Sequence, residues 1–310
     1  MTNRSYQIVS RKIFIIAVCL FVAIGLFFIA DFFQKSSFQL SQKPLVAASI
    51  FPVYDLAREV AGNEVKVVLI VPPGSEPHMF EPPPSRIKEL QRAEAVYTIG
   101  HGIDEWIRPI IANTNAEEVV LDTGIRLRQS QVIFTDRGAE EEGPVDPHFW
   151  LTMQNAKRMV QTINADLRSR FPARADQFQK NTDAYLEKLS IAEEKIQMIL
   201  APAKGRTLIT LHDAWYYFVD AYGLTIAGTY LPTAGREPSA LYLTALAKAV
   251  KASGARSLFH EPQFSTETLR PFANDYGLRL VILDDIGGKP PRDSFINLMM
   301  ENAKAIADNP

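Results

Sequence analysis

Cysteine is almost missing from this chain: among 310 residues there is one, Cys19. A single thiol makes no internal disulfide, so the folded part is held by its core and not by cross-links. An excess of charge of one sign is missing as well. The 33 Lys and Arg face 35 Asp and Glu, a formal net charge of -2, and this excludes the basic face that a nucleic-acid binder presents. Internal repeats and low-complexity tracts are not evident. Neither the nucleophile motif GxSxG nor the zinc-hydrolase motif HExxH occurs. What is there is a chain 47% hydrophobic, long enough for two domains that each bury a core.

Long apolar runs are scarce, with one exception. From Ile13 to Ala30 eighteen residues pass without a charge, preceded by Arg4, Arg11 and Lys12. That length suits one helical crossing of a bilayer, with the amino end cytoplasmic and the rest outside. A cleaved signal is the rival for residues 1–35, but "FFIAD" lacks the small-x-small cleavage pattern. Val18 precedes Cys19, and eleven apolar or small residues follow it, unlike a lipid-modified cysteine that closes its apolar segment. The expectation is a membrane anchor, retained rather than removed.

Beyond it the pattern alternates. "LVAASI", "VKVVLIV" and "AVYTIG" read as strands, with "VYDLAREVAG" and "PSRIKELQRA" as the helices between them. In the second half "RTLITL", "RSLFHE" and "LRLVILD" are strands, interleaved with helices such as "DAWYYFVDAYG" and "DSFINLMMENAKAIA". Strands alternating with helices predict mostly parallel α/β sheets. Between the halves, Phe178, Tyr185, Leu189, Ala192, Ile196 and Ile199 recur at helical spacing, one apolar stripe on a long continuous helix. The predicted organisation is an α/β lobe over 43–172, a linker helix over 173–201 and a second α/β lobe over 202–310. The run Glu140, Glu141, Glu142 reads as a solvated acidic loop.

Three of the five histidines share a placement: His78, His148 and His212 lie just beyond a strand end or in a proline-stiffened loop. Open α/β sheets place their ligands there. "GSEPHMFEPPPS", around His78, packs four prolines into twelve residues, which rules out a helix interior and a central strand. Asp284 ends the last strand. The four are separated by 70, 64 and 72 residues, so two come from each lobe and a shared site would lie in the cleft between. Three imidazoles and a carboxylate make a complete tetrahedral set for a divalent ion. Taken singly, a strand-end histidine is equally the mark of a satisfied polar residue.

The local sequences then identify themselves. "HMFEPPPS", "DPHFWL", "LHDAWYYFVDAYGL", "FHEPQFS" and "LDDIGG", in that order, resemble the motifs of the zinc- and manganese-binding receptors of bacterial ABC transporters. The resemblance runs from about Leu45 to the C-terminus. It implies two α/β lobes bridged by a rigid helix, a metal in the interlobe cleft, and delivery to a membrane permease. Carried over by motif, the ligands are His78, His148, His212 and Asp284, with Asp285 and His101 as alternatives. Glu261, Glu81 and Asp146 are candidates for orienting the ligands, Glu261 also as a partner for Arg236. After "DPHxWL" the family has an Asp-Pro pair where this chain has Thr152 and Met153, a departure expected to loosen a helix start. The acidic loop carries no histidine, unlike the histidine-rich loop of many zinc receptors.

Three nitrogens and one oxygen favour zinc over manganese, and in the resembled family manganese receptors tend to carry glutamate where this chain has His212. The expected function is a monomeric, extracytoplasmic receptor that captures a divalent metal and hands it to an ABC permease. A zinc hydrolase is the competing class. It would need Asp284 out of the coordination set, leaving a position open for water.

Overall fold

The computed structural model describes residues 43–131, 145–231 and 237–309. The apolar run Ile13–Ala30, Cys19, the Glu140 to Glu142 loop and Arg236 lie outside the described residues. Among those described, no helix is long and apolar enough to cross a membrane.

Two four-stranded sheets, each wholly parallel, form the two lobes. The first joins β1 (Leu45–Ala48), β2 (Lys66–Leu69), β3 (Ala95–Thr98) and β4 (Glu117–Val120) in the order β2-β1-β3-β4. The second joins β5 (Thr207–Thr210), β6 (Thr225–Thr229), β7 (Ser257–His260) and β8 (Arg279–Ile282) as β6-β5-β7-β8. In β1 register, Val46 lies opposite Val67 on one side and Ala95 on the other. Strands covered on both faces read as continuous apolar runs, and the central β3 and β7 are buried along their whole length. Two strands went unread in the sequence, β4 and β6, and both are edges.

Helices cover the sheets. The first lobe has α1 (Phe51–Ala61), α2 (Pro84–Leu90) and the short α3 (Ile107–Ile111), followed by α4 (Met153–Arg170) and the long α5 (Ala175–Leu200). The second has α6 (Tyr216–Tyr222), α7 (Ala240–Ser253), α8 (Leu269–Asp275) and α9 (Phe295–Asp308). Local chemistry sets their ends. Ser239 caps α7 by accepting from the Tyr242 N–H, and Gly254 stops it in the left-handed conformation that glycine adopts without strain. Thr152 corrects the expectation of a loosened start to α4: its hydroxyl accepts from the Asn155 N–H at 3.1 Å and caps the helix.

The long helix holds the architecture. Its 26 residues span about 39 Å at ~1.5 Å each. Phe178, Tyr185, Leu189, Ala192 and Ile196 are buried along one stripe; Leu200, one turn beyond Ile196, closes it in place of the half-buried Ile199. That stripe packs against α1, α4 and α9, so it touches both lobes. The largest core cluster is continuous across them, from Val46 and Trp150 to Trp215, Phe259 and Phe295. Polar ties reinforce it: the Phe295 N–H at the start of α9 donates to Asp55 on α1 at 2.8 Å. At the seam Gly288 presses on the first lobe. A Cβ there would sit 2.8 Å from Pro73 and 3.0 Å from Phe51, so the lobes approach to a distance that only glycine permits.

Candidate metal site

Loops at the carboxyl ends of the strands converge at the seam. His78 sits beyond β2 in the proline-dense loop, which two contacts fasten. The Glu76 carboxylate accepts the N–H groups of His78 and Met79 at 3.2 and 3.1 Å, and Trp106 donates from its indole to the Pro77 carbonyl at 3.0 Å. The stiffness read in the sequence is thus anchored to the lobe. The His78 Nε2 is buried and has no hydrogen-bond partner.

His148 follows Pro147. Asp146 Oδ1 lies 3.0 Å from the His148 backbone N–H and 2.9 Å from its Nδ1. One carboxylate oxygen therefore fixes both the loop and the ring, and with Nδ1–H donating, the lone pair is left on Nε2. That Nε2 is buried and unpartnered too. Asp146 is held in turn by Tyr217 of the second lobe, whose hydroxyl donates to the Asp146 carbonyl at 3.2 Å while accepting from the Arg128 N–H.

His212 lies just past β5, its turn steadied by the Thr210 hydroxyl donating to the His212 carbonyl at 2.9 Å. Its Nδ1 stands 3.0 Å from Glu261 Oε1, at an angle that falls short of a hydrogen bond. Glu261 is fully buried and takes its hydrogen bond from the Trp215 indole at 2.9 Å.

The ring centroids trace the cluster: His148 to His212 is 5.3 Å and His148 to His78 is 5.6 Å. One ligand atom each from His148, His212 and Asp285 fall within 4.8 Å of one another. His78 stands next to this group without belonging to it at that spacing. The two adjacent aspartates differ in placement. Asp284 is turned away into its own loop, where its Oδ1 accepts from the N–H groups of Ile286 and Gly287 at 3.1 and 2.9 Å, and its own N–H donates to Asn302. Asp285 takes the place beside the histidines.

Other candidates stand apart. His101 has its Nε2 3.1 Å from Asp122 and a left-handed backbone, φ 55°, and it does not join the group. Glu81 is exposed and hydrogen-bonds to none of the three histidines. His260 ends β7 with its Nδ1 turned to the Glu261 carbonyl. Two residues that sequence reasoning missed do touch the site: Trp150 donates from Nε1 to the Asp285 carbonyl at 2.8 Å, and Gln263 donates to the Asp285 carboxylate at 2.6 Å. Both lie inside the quoted motifs, two and three residues from His148 and His260.

Electrostatics divides the set. Burial, then repulsion from His148, holds His78 down to about 3; burial, then His212, does the same to His148. Burial alone would lower His212 too, but the charge of Glu261 overcomes it and raises the imidazole to about 10. Burial pushes Asp285 up to about 8, against the pull of His212. Two neutral imidazoles with free lone pairs, a third beside a buried carboxylate, and an aspartate across the seam form a donor set suited to a divalent ion.

Known proteins match the chain over most of its length. Residues 46–309 match the family model described as zinc-uptake complex component A, periplasmic. The zinc-binding protein AdcA of Streptococcus pyogenes serotype M1 is 25% identical over 307 residues, 91% of this chain and 59% of AdcA; this chain spans about three fifths of that relative's length. The manganese-binding lipoprotein MntA of Halalkalibacterium halodurans is 29% identical over 254 residues, covering 80% of this chain and 82% of MntA. The crystal structure of ZnuA superposes with a TM-score of 0.76 at 29% identity, over 86% of this chain and 99% of that one. These relatives are named for binding and uptake of metal, not for catalysis.

Proposed function

The chain belongs to the family of periplasmic zinc-uptake components A, and from that premise we propose that it is an extracytoplasmic receptor. It captures a divalent metal ion, zinc in preference to manganese, and hands it to the permease of an ABC transporter. Its N-terminal segment holds it at the outer face of the cytoplasmic membrane, where it works as a monomer. Residues 43–172 and 202–310 act as the two lobes, with 173–201 as the strut between them.

The observation that carries this reading is the pair of buried, unpartnered Nε2 atoms on His78 and His148, whose rings lie 5.6 Å apart beside His212 and Asp285 at the lobe seam. A buried polar atom without a partner is costly, and a metal ion repays the debt at both. The ligand set is His78, His148, His212 and Asp285, with Asp146 holding the His148 ring and the Glu261 carboxylate standing 3.0 Å from His212 Nδ1. Loading displaces the protons of His212 and Asp285, after which the imidazoles are neutral and the carboxylates of Asp285 and Glu261 carry two negative charges that match one dication. Three nitrogens and one oxygen suit zinc. A second reading, a manganese receptor, is favoured by the kinship with MntA.

With the lobes tied by a shared core, loading produces a small settling and no wide hinge swing. X-ray scattering with and without metal is expected to superpose closely; a large compaction would contradict that. The functional test is metal analysis of the full chain, purified in mild detergent without added metal and titrated with zinc and with manganese. One equivalent of tightly held zinc, lost in a His78→Ala, His148→Ala double variant, is the expected result. Binding unchanged by those substitutions would end the proposal.

A further inference from the structure

Asp285 has two carboxylate oxygens, and one is already engaged. Gln263, in the loop beyond β7, donates from Nε2 to Asp285 Oδ1 at 2.6 Å. A carboxylate that ligates a metal is ionised and only accepts, so in the loaded site this contact fixes which way the amide faces. The other end of the amide, Oε1, is buried and unpartnered; the bond to Asp285 is what orients Gln263. Nor can Asp285 easily turn away. Its main chain is gripped from the opposite lobe by the Trp150 indole, which donates to the Asp285 carbonyl at 2.8 Å.

We propose that Gln263 is a specificity-determining residue of the site: by occupying Oδ1 it presents a single oxygen of Asp285 to the ion. This rests on the receptor reading above, with Asp285 as the carboxylate ligand. A one-oxygen carboxylate beside three imidazoles makes a four-coordinate set, which zinc takes and manganese does not favour. A carboxylate freed from the amide can turn to offer both oxygens, which adds a ligand and makes the site more oxygen-rich. Gln263 therefore acts on the choice between metals, and a general prop of the fold would not.

The test uses the full chain in mild detergent and two variants. Gln263→Leu keeps the bulk and removes the donor. Gln263→Glu is nearly isosteric, so it guards against misfolding, and when ionised it cannot donate to Asp285. Zinc and manganese alone are titrated into each by competition with a chromophoric chelator, and zinc X-ray absorption counts oxygen neighbours. Disturbing a group that orients a metal ligand weakens binding by about tenfold or more. Zinc is expected to weaken by about that factor in both variants, with manganese unchanged or tighter, so that the ratio of the two dissociation constants moves toward manganese, and with an added oxygen neighbour on zinc. Equal weakening of both metals, or no change in either, overturns the inference. His148→Ala is run beside them. If it binds zinc as the wild type does, the receptor site itself is wrong and the inference falls with it. If it loses zinc while the Gln263 variants keep the wild-type ratio, only the role of Gln263 is overturned.

Discussion

Strand order is the same in the two sheets, β2-β1-β3-β4 and β6-β5-β7-β8, yet the lobes equip their sides of the site differently. The first lobe offers imidazoles on stiffened loops, His78 between prolines and His148 after one, both held neutral by burial. The second lobe brings the carboxyl groups: Asp285 itself, and Glu261 against His212. One half supplies neutral donors that need no deprotonation at neutral pH. The other supplies groups that give up protons on loading and then balance a dication. A repeated architecture has been divided by chemistry, and the seam is where the halves complete each other.

Ligand removal is the largest way to break that comparison. Structural zinc binding is worth about 10–16 kcal/mol over four ligands, or about 3 kcal/mol each. Loss of one, His148→Ala in the first lobe or Asp285→Asn in the second, is expected to weaken zinc by about a hundredfold. Asp284→Asn serves as the contrast and should leave zinc affinity within about threefold while lowering the melting temperature, because its carboxylate holds only its own turn. A hundredfold loss in Asp284→Asn would return the ligand role to that residue.

The seam comes next. Gly288→Leu drives a side chain into Pro73 and Phe51 and should destabilise the fold by about 1–3 kcal/mol, read as a lower urea midpoint. Metal affinity should fall with it, since the wedge separates the donors of one lobe from the anions of the other. Unchanged stability would mean the lobes part freely.

Acid sharpens the contrast. His78 and His148 drop to about 3 in the fold from 6.5 in the unfolded chain. At these two rings the unfolded chain takes up more protons than the fold below about pH 6.5, a loss of stability that the raised carboxyls of Asp285 and Asp146 oppose over the same range. The difference between wild type and His148→Gln isolates the ring: on going from neutral pH to about pH 5, the urea midpoint of the metal-free wild type should fall relative to that of the variant. Midpoints that keep a constant difference would mean that His148 is charged in the fold. The smallest effect is Thr152→Ala, which removes the cap of α4 and should cost about 1 kcal/mol with zinc affinity unmoved.

Much of the fold was legible because buried parallel strands announce themselves: "LVAASI", "AVYTIG" and "RSLFHE" are apolar enough to be read unaided. β4 and β6 escaped for a physical reason. As edges they are half exposed, "EEVV" opens on two acids and "TIAGT" carries a glycine, so neither keeps a clean period. At the site, proline and strand-end placement brought attention to His78, His148 and His212. The adjacent aspartates could not be separated that way, since their direction depends on the turn that follows. A signal was present even so. "DDIGG" lets the first Asp accept the amides two and three residues on, the habit of aspartate at a turn, which leaves the second to face the cleft. Trp150, Tyr217 and Gln263 act through partners at least 22 residues away, and no local pattern marks such contacts.

The long helix α5 has one more consequence. It locks onto α1, α4 and α9 together, so the walls of the site have little room to part by themselves. On the receptor reading, the fold at rest then supplies no lobe swing to drive unloading, and that work falls to an outside agent that strains the seam at Gly288 and Trp150.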